Sequence, residues 1–250
     1  MVLDLGLSAG GLVWCGLVLF VAAFVRGYSG FGFSSVLMAG LTLVLPAAEI
    51  VPMSIALEVL ASIGQARGIA RHVDRQRLAV LLAGGLIGSP IGVYCLTVFP
   101  DEPLRGGILF FIMAASLVLL MSPRRLVRVS LPVFALAGFT AGIVNGATAL
   151  SGLVLALFFA LTGTAPVVMR ATMIAYFFVT DMWTGGILAV SGLFDPVTIM
   201  RTVAALPVLA VGIWLGSNRF TATPPHSFRA VILYLLLLLC TIGLLRIALA

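Results

Sequence analysis

Lysine is absent from this chain, and charged residues of every kind make up only 9% of its 250 positions. A soluble domain carries about a quarter charged residues, so that class is excluded. The net charge of +6 comes entirely from arginine, and the arginines stand between apolar runs. The enrichment of cytoplasmic loops in basic residues accounts for them there, so basicity implies no nucleic acid partner. Two histidines and three scattered cysteines, Cys15, Cys95 and Cys240, offer no CxxC pair and no ligand cluster, which excludes a metal site and leaves no cofactor to expect. Sustained strand-like alternation is also missing, which excludes a membrane β-barrel.

What the chain has in quantity is apolar sequence, 62% of its residues. The runs reach or approach the roughly 20 residues with which a helix crosses the bilayer, so the fold class is an all-α polytopic membrane protein. Five apolar segments cover residues 5–25, 31–45, 51–65, 78–98 and 104–121. Five more follow at 131–144, 149–162, 167–190, 202–217 and 228–249. The start lacks a positive stretch and a small-residue cleavage site, so the first segment should stay attached.

The second set of segments repeats the first. Aligning 77–120 with 201–244 without a gap pairs Arg77 with Arg201, Gly88 with Gly212, Gly92 with Gly216, Pro100 with Pro224 and Arg105 with Arg229. Internal repeats of this kind mark transporter folds whose halves enclose a central site. The expected organisation is a first transmembrane repeat over 1–122, a basic cytoplasmic linker over 123–130 and a second repeat over 131–250. One loop holds Arg67, Arg71, Arg75 and Arg77, and the linker holds Arg124, Arg125 and Arg128. The loop between them carries Asp101 and Glu102. The arginine clusters then face the cytoplasm, and Asp4 ahead of Arg26 puts the N-terminus outside it. An odd number of crossings per half makes the two repeats inverted.

Each half opens irregularly. The 131–144 run has about 14 residues, too few to cross comfortably at 1.5 Å per residue, which predicts a glycine-turned broken or re-entrant helix pair. Such backbone persists at membrane depth only where protein or a water-filled cavity satisfies it, so these turns mark the candidate site. The first turn contains Gly27, Ser29, Gly30, Gly32, Ser34 and Ser35, and the second contains Gly142, Asn145, Gly146, Thr148, Ser151 and Gly152. Helices that start there would aim unpaired N–H groups and positive dipole ends at an anion, with hydroxyls as added donors. Small residues of this kind also serve close helix packing alone.

Ser54, Glu58, Ser62 and Gln65 share one helical face, as do Arg170, Asp181 and Thr184. Ionisable groups at membrane depth are costly and face the bundle interior, so Glu58, Arg170 and Asp181 are candidates for coupling or gating, with Glu58 or Asp181 carrying protons. A structural hydrogen-bonded pair is the alternative. The GxSG form of Gly27 to Gly30 invites an intramembrane serine protease. Its base is missing, because His72 and His226 fall in loops, so no enzyme is expected. An anion channel or a non-transporting scaffold stays open.

The glycine-rich opener Gly27 to Gly32, the loop Arg71-His72-Val73-Asp74, the Gly88 to Gly92 helix followed by Arg105, the second glycine turn, and Gly212 to Gly216 with Arg229 together resemble the TauE/SafE family of sulfite and organosulfonate permeases. The second turn departs from that pattern, with Ser151-Gly152-Leu153 where a Gly-Pro stretch is expected. The resemblance implies transport of a small anion, such as sulfite, sulfoacetate or another organosulfonate, across a bacterial inner membrane by alternating access. The partners it implies are the anionic substrate and the lipid bilayer, and it leaves a homodimer open.

Overall fold

The computed structural model describes residues 8–121, 129–162, 164–220 and 225–248. Asp4, the linker arginines Arg124, Arg125 and Arg128, and Pro224 lie outside the described residues, as do the side chains of Arg67, Arg219, His226 and Arg229.

Among the described residues there are ten α-helices and no strand. They are α1 (Ala9–Ser29), α2 (Phe33–Leu41), α3 (Ala47–Ile69), α4 (Arg75–Val98) and α5 (Asp101–Met121), then α6 (Leu131–Thr148), α7 (Ser151–Thr162), α8 (Pro166–Val190), α9 (Pro196–Phe220) and α10 (Pro225–Ala248), with one 3-10 turn at Ala70–His72. Seven of them, α1, α3, α4, α5, α6, α8 and α9, are long and apolar enough to span a bilayer. Local signals explain the boundaries. Ser8 and Asp74 cap α1 and α4 by accepting from Gly11 N–H and Arg77 N–H. Pro166, Pro196 and Pro225 stand first in their helices, where a missing N–H costs nothing.

The irregular opening is present, but its short member is not the one expected. α6 runs 18 residues, to Thr148, so the 131–144 run belongs to a helix long enough to cross. The polar and small residues Asn145, Gly146 and Thr148 read as a turn, yet they form the last turn of that helix. The short pieces are α2, with 9 residues, and α7, with 12. These lengths span about 14 and 18 Å, well under the hydrocarbon thickness. Every residue of α2 is buried, as an apolar helix enclosed on all sides requires. It doubles back along α1, with Gly40 against Val18, Gly32 beside Val25, and Trp14 Nε1 donating to Gly40 O at 2.9 Å.

Helix pairings repeat across the halves. α1 packs on α9 as α6 packs on α4, α2 touches α10 as α7 touches α5, α3 meets α9 as α8 meets α4, and α3 with α8 and α5 with α10 close the set. The matched glycines do matching work. A methyl on Gly88 or Gly92 would overlap the carbonyl of Phe139 or Ile143 in α6, and one on Gly216 would overlap that of Phe24 in α1. Close backbone approach of this kind is how small residues hold membrane helices together. Directions follow from the same contacts. α4 runs parallel to α6, since Gly84, Gly88 and Gly92 lie in turn on Ala135, Phe139 and Ile143. α3 and α8 run antiparallel, since Ile55 meets Gly185 while Asp74, beyond the end of α3, binds Thr172 near the start of α8.

Candidate functional site

The two reversals are built alike. Gly30 closes α1 in the left-handed conformation, φ 79°, with its N–H on Arg26 O at 2.8 Å. Gly32, at φ 86°, starts α2 in the same region, where glycine alone is unstrained. Ala149 closes α6 at φ 59°, its N–H on Asn145 O at 2.8 Å. The turns touch: a methyl built on Gly152 would sit 3.7 Å from Gly32 N and 3.8 Å from Phe31 Cβ. The starts of α2 and α7 therefore meet inside the bundle, each with first-turn N–H groups that have no partner within their own helix.

Around each turn lies a buried polar network. In the first half Arg26, 0% exposed, pairs with Glu58 at 3.0 Å and donates to Gly30 O at 2.8 Å and Ser62 Oγ at 2.7 Å. Ser34 Oγ donates to Glu58 Oε1 at 2.8 Å and Ser54 Oγ to Ser34 Oγ at 3.0 Å. Gln65 reaches Arg26 O at 3.5 Å. In the second half Asn145 Nδ2 donates to Asp181 Oδ1 at 2.8 Å and Thr184 Oγ1 at 3.3 Å, and Ser151 Oγ donates to Asn145 Oδ1 at 2.8 Å. Position for position these correspond. Arg26 and Asn145 each stand four residues before the left-handed residue, Ser34 and Ser151 open the half-helix, and Glu58 and Asp181 reach in from the long helix that follows. Phe177 joins the two, with the Arg26 guanidinium 4.8 Å from its ring centroid and its edge on Gly152.

The ends of the bundle differ. At one end Arg77 pairs with Asp74 and donates to Thr164 Oγ1 at 3.2 Å, and Arg170 Nη2 and Ser217 Oγ both donate to Gly27 O, at 2.9 and 3.2 Å. At the other Glu49 pairs with Arg201, and Asp101 accepts from Ala47 N–H at 2.8 Å. Beside Arg201 lies a cavity of about 150 Å³ between α1, α2, α3 and α9, walled by Leu19, Leu37, Met53 and other apolar side chains.

The family model for sulfite exporter TauE/SafE matches residues 15–242. The chain belongs to the TauE/SafE family. No curated protein and no solved structure matches it. A TauE/SafE chain is a multi-pass membrane transporter of the anion-exporter type and not an enzyme, so its partners include the bilayer and a small substrate.

Within this TauE/SafE chain the residues singled out from sequence divide into three groups. Ser34, Glu58, Asn145, Ser151 and Asp181 are brought together with Gly30, Gly32 and Gly152 at the paired turns. Ser29, Gly27, Gly146 and Thr148 are engaged in contacts within the turn, within their helix or between helices. Ser29 Oγ bonds Val25 O and Phe31 O at 2.8 and 2.6 Å, which locks the turn, and Thr148 Oγ1 bonds Val144 O at 2.7 Å within its helix. Gly27 lies on Ile213 of α9, and Gly146 on Ser89 and Val93 of α4. Arg170 lies across Gly30, its aliphatic stem filling the space a side chain there would need. Arg26 is the residue the sequence reading missed. It was read as a loop charge fixing the orientation of the first segment, whereas it is buried in the centre and says nothing about sidedness. The signal available was its place one turn ahead of Gly30, mirrored by Asn145.

Proposed function

We propose that this TauE/SafE chain is a secondary transporter that carries a small sulfur-containing oxyanion or organosulfonate across the bacterial inner membrane by alternating access. The observation that carries the reading is the apposition of the two half-helix starts, α2 and α7, between two buried polar networks. Half-helix N-termini meeting at mid-bundle supply N–H donors and positive dipole ends to an anion's oxygens. Arg26 adds a third contribution. Its Nε is buried and has no hydrogen-bond partner among the described residues, which leaves a charged donor for a ligand oxygen. The binding set is the turn backbone at Gly30, Gly32 and Gly152, the hydroxyls of Ser34 and Ser151, Asn145 and Arg26.

The antiparallel course of α3 and α8 supports inverted repeats, so the two halves can rock about the shared turns. Arg71, Arg75 and Arg77 with Asp74 at one end, against Arg105 and Arg201 with Glu49, Asp101, Glu102 and Asp195 at the other, support placing the first group in the cytoplasm and the N-terminus outside. Arg170 and Ser217 on Gly27 O then close the cytoplasmic side, and the cavity beside Arg201 opens to the outside. Counterflow in vesicles tests the reading. Saturable exchange of labelled for unlabelled sulfite, thiosulfate or methanesulfonate is expected, lost when Ser151 or Asn145 becomes leucine. Conduction without saturation would make the protein a channel, and no movement of any of these anions would remove the proposed substrate class.

A further inference from the structure

The two carboxylates at the turns are not equivalent in their company. Glu58, 5% exposed, lies 3.0 Å from the Arg26 guanidinium. Asp181, 1% exposed, forms no ion pair among the described residues and accepts a hydrogen bond from the neutral amide of Asn145 at 2.8 Å. The groups facing it from each neighbouring element can be named. Glu58 comes from α3 and Arg26 from α1, and both fields reach it. α6 brings Asn145 and α7 Ser151, neither of which titrates. α4 meets α8 through Gly85 and Leu86, with Arg75 and Arg77 at its distant start. The turn holding Arg71 and His72 lies at the start of α8, and on α8 itself stand Tyr176 and Arg170.

We infer that Asp181 carries the proton of a proton–anion symport, one proton for each anion, while Glu58 remains the fixed counter-ion of Arg26. This rests on the transporter reading above. Among the described residues four charged side chains surround the turns, two arginines (Arg26 and Arg170) and two acids (Glu58 and Asp181), and with both acids ionised their charges sum to zero in the empty site. Placing a proton on the Asp181 carboxyl leaves one positive charge, which a single negative charge on the substrate offsets. Both states that reorient, empty and loaded with proton plus monoanion, are then uncharged, and the heavy cost of moving net charge through the bilayer core is avoided. The proton enters from the side the site faces and leaves to the other with the anion.

The test uses the full chain in vesicles with the membrane potential clamped at zero and a gradient of one pH unit. The probe is labelled methanesulfonate, or ethanesulfonate, likewise a monoanion, if methanesulfonate gives no counterflow. Coupling of one proton to one anion accumulates the probe about tenfold on the alkaline side, since one pH unit is a tenfold ratio of proton activity. Asp181→Asn should bring that ratio to one and flatten the pH profile of whatever exchange remains, and Asp181→Glu should restore both. Saturable counterflow without pH-driven accumulation in the wild type overturns this inference and leaves the transporter reading standing. Tenfold accumulation that survives in Asp181→Asn overturns the assignment to Asp181. If neither probe exchanges at all, this inference falls, and sulfite counterflow decides whether the transporter reading stands.

Discussion

The two halves solve one geometric problem with different chemistry. In the first, a buried arginine and glutamate face each other across the turn, held by Ser34, Ser62 and Gly30 O. In the second, an amide, a serine, a threonine and an aspartate occupy the corresponding places. The first network is charge-compensated and intolerant of losing either member. In the second, the acid meets a neutral hydrogen-bond partner, Asn145, and forms no ion pair among the described residues. On the proposed proton coupling, the two halves divide structural and coupling duties between them.

The largest expected effect comes from breaking the compensated pair. Arg26→Ala or Glu58→Gln leaves an uncompensated charge at the centre of the bundle, and such removals cost about 3–5 kcal/mol. The double change Arg26→Met with Glu58→Leu should recover most of that loss, because two apolar side chains strand no charge. Asp181→Asn, by contrast, breaks no ion pair and should cost less, about 1.5–3 kcal/mol, the order of one hydrogen bond to a charged group. Melting of the purified protein in detergent measures all four, and an equal loss for Glu58→Gln and Asp181→Asn would erase the distinction between the halves.

Next in size are the contacts that tie the halves together. Gly92→Val pushes α4 off Ile143 in α6, and Gly216→Val pushes α9 off Phe24 in α1. Overpacking of this order costs about 1–3 kcal/mol, and the matched positions should lose stability in parallel. Gly186→Ala, with nothing within 4 Å of the new methyl, should leave the melting temperature unchanged or slightly raised.

Much of this was legible in the sequence, and what was not has a physical cause. Ten apolar segments became ten helices because length and hydrophobicity decide spanning elements almost unaided. The pairing of Gly88 with Gly212 and Gly92 with Gly216 came from the gapless repeat, and the same glycines hold α4 to α6 and α9 to α1. Helix ends were less legible. Glycines and serines at 27–29 and polar residues at 145–148 read as turns, yet in a bilayer the backbone continues to hydrogen-bond internally until a left-handed residue stops it. That delay moved Arg26 from an imagined loop into the core. The likeness of Glu58 and Asp181 was also hidden, because the residues around the two turns differ in number and only the hydrogen bonds that tie each acid to its turn, Ser34 to Glu58 and Asn145 to Asp181, bring it out.

The turns themselves provide a smaller test. Ala149 holds a left-handed conformation that costs a non-glycine residue roughly 1–2 kcal/mol, whereas Gly30 meets the same demand without strain. Ala149→Gly should therefore raise stability by up to about 1 kcal/mol, offset in part by greater freedom of the unfolded chain. Gly30→Ala should lower it, since the methyl adds overlap with the Arg170 stem to the backbone strain. Opposite signs for exchanging the same two residue types at matched positions would show that the reversals share one backbone geometry.

The smallest effect concerns the caps of the paired helices α4 and α9. Asp74 caps α4 while its side chain also pairs with Arg77, so Asp74→Ala should cost about 1 kcal/mol, the backbone N–H of residue 74 keeping its bond to Thr172. Asp195 caps α9 alone, and the hydroxyl and N–H of Thr198 hold its carboxyl below the ordinary range. A carboxyl lowered by folding stabilises fully above its unfolded value and loses that contribution as pH falls through the folded one. The window lies below about pH 4. Asp195→Asn keeps a competent cap and removes only the charge, so its deficit in melting temperature should be small at pH 6 and vanish near pH 2. A deficit that persists in acid would mean that Thr198 binds the side chain for its shape, and the carboxylate charge contributes nothing to the start of α9.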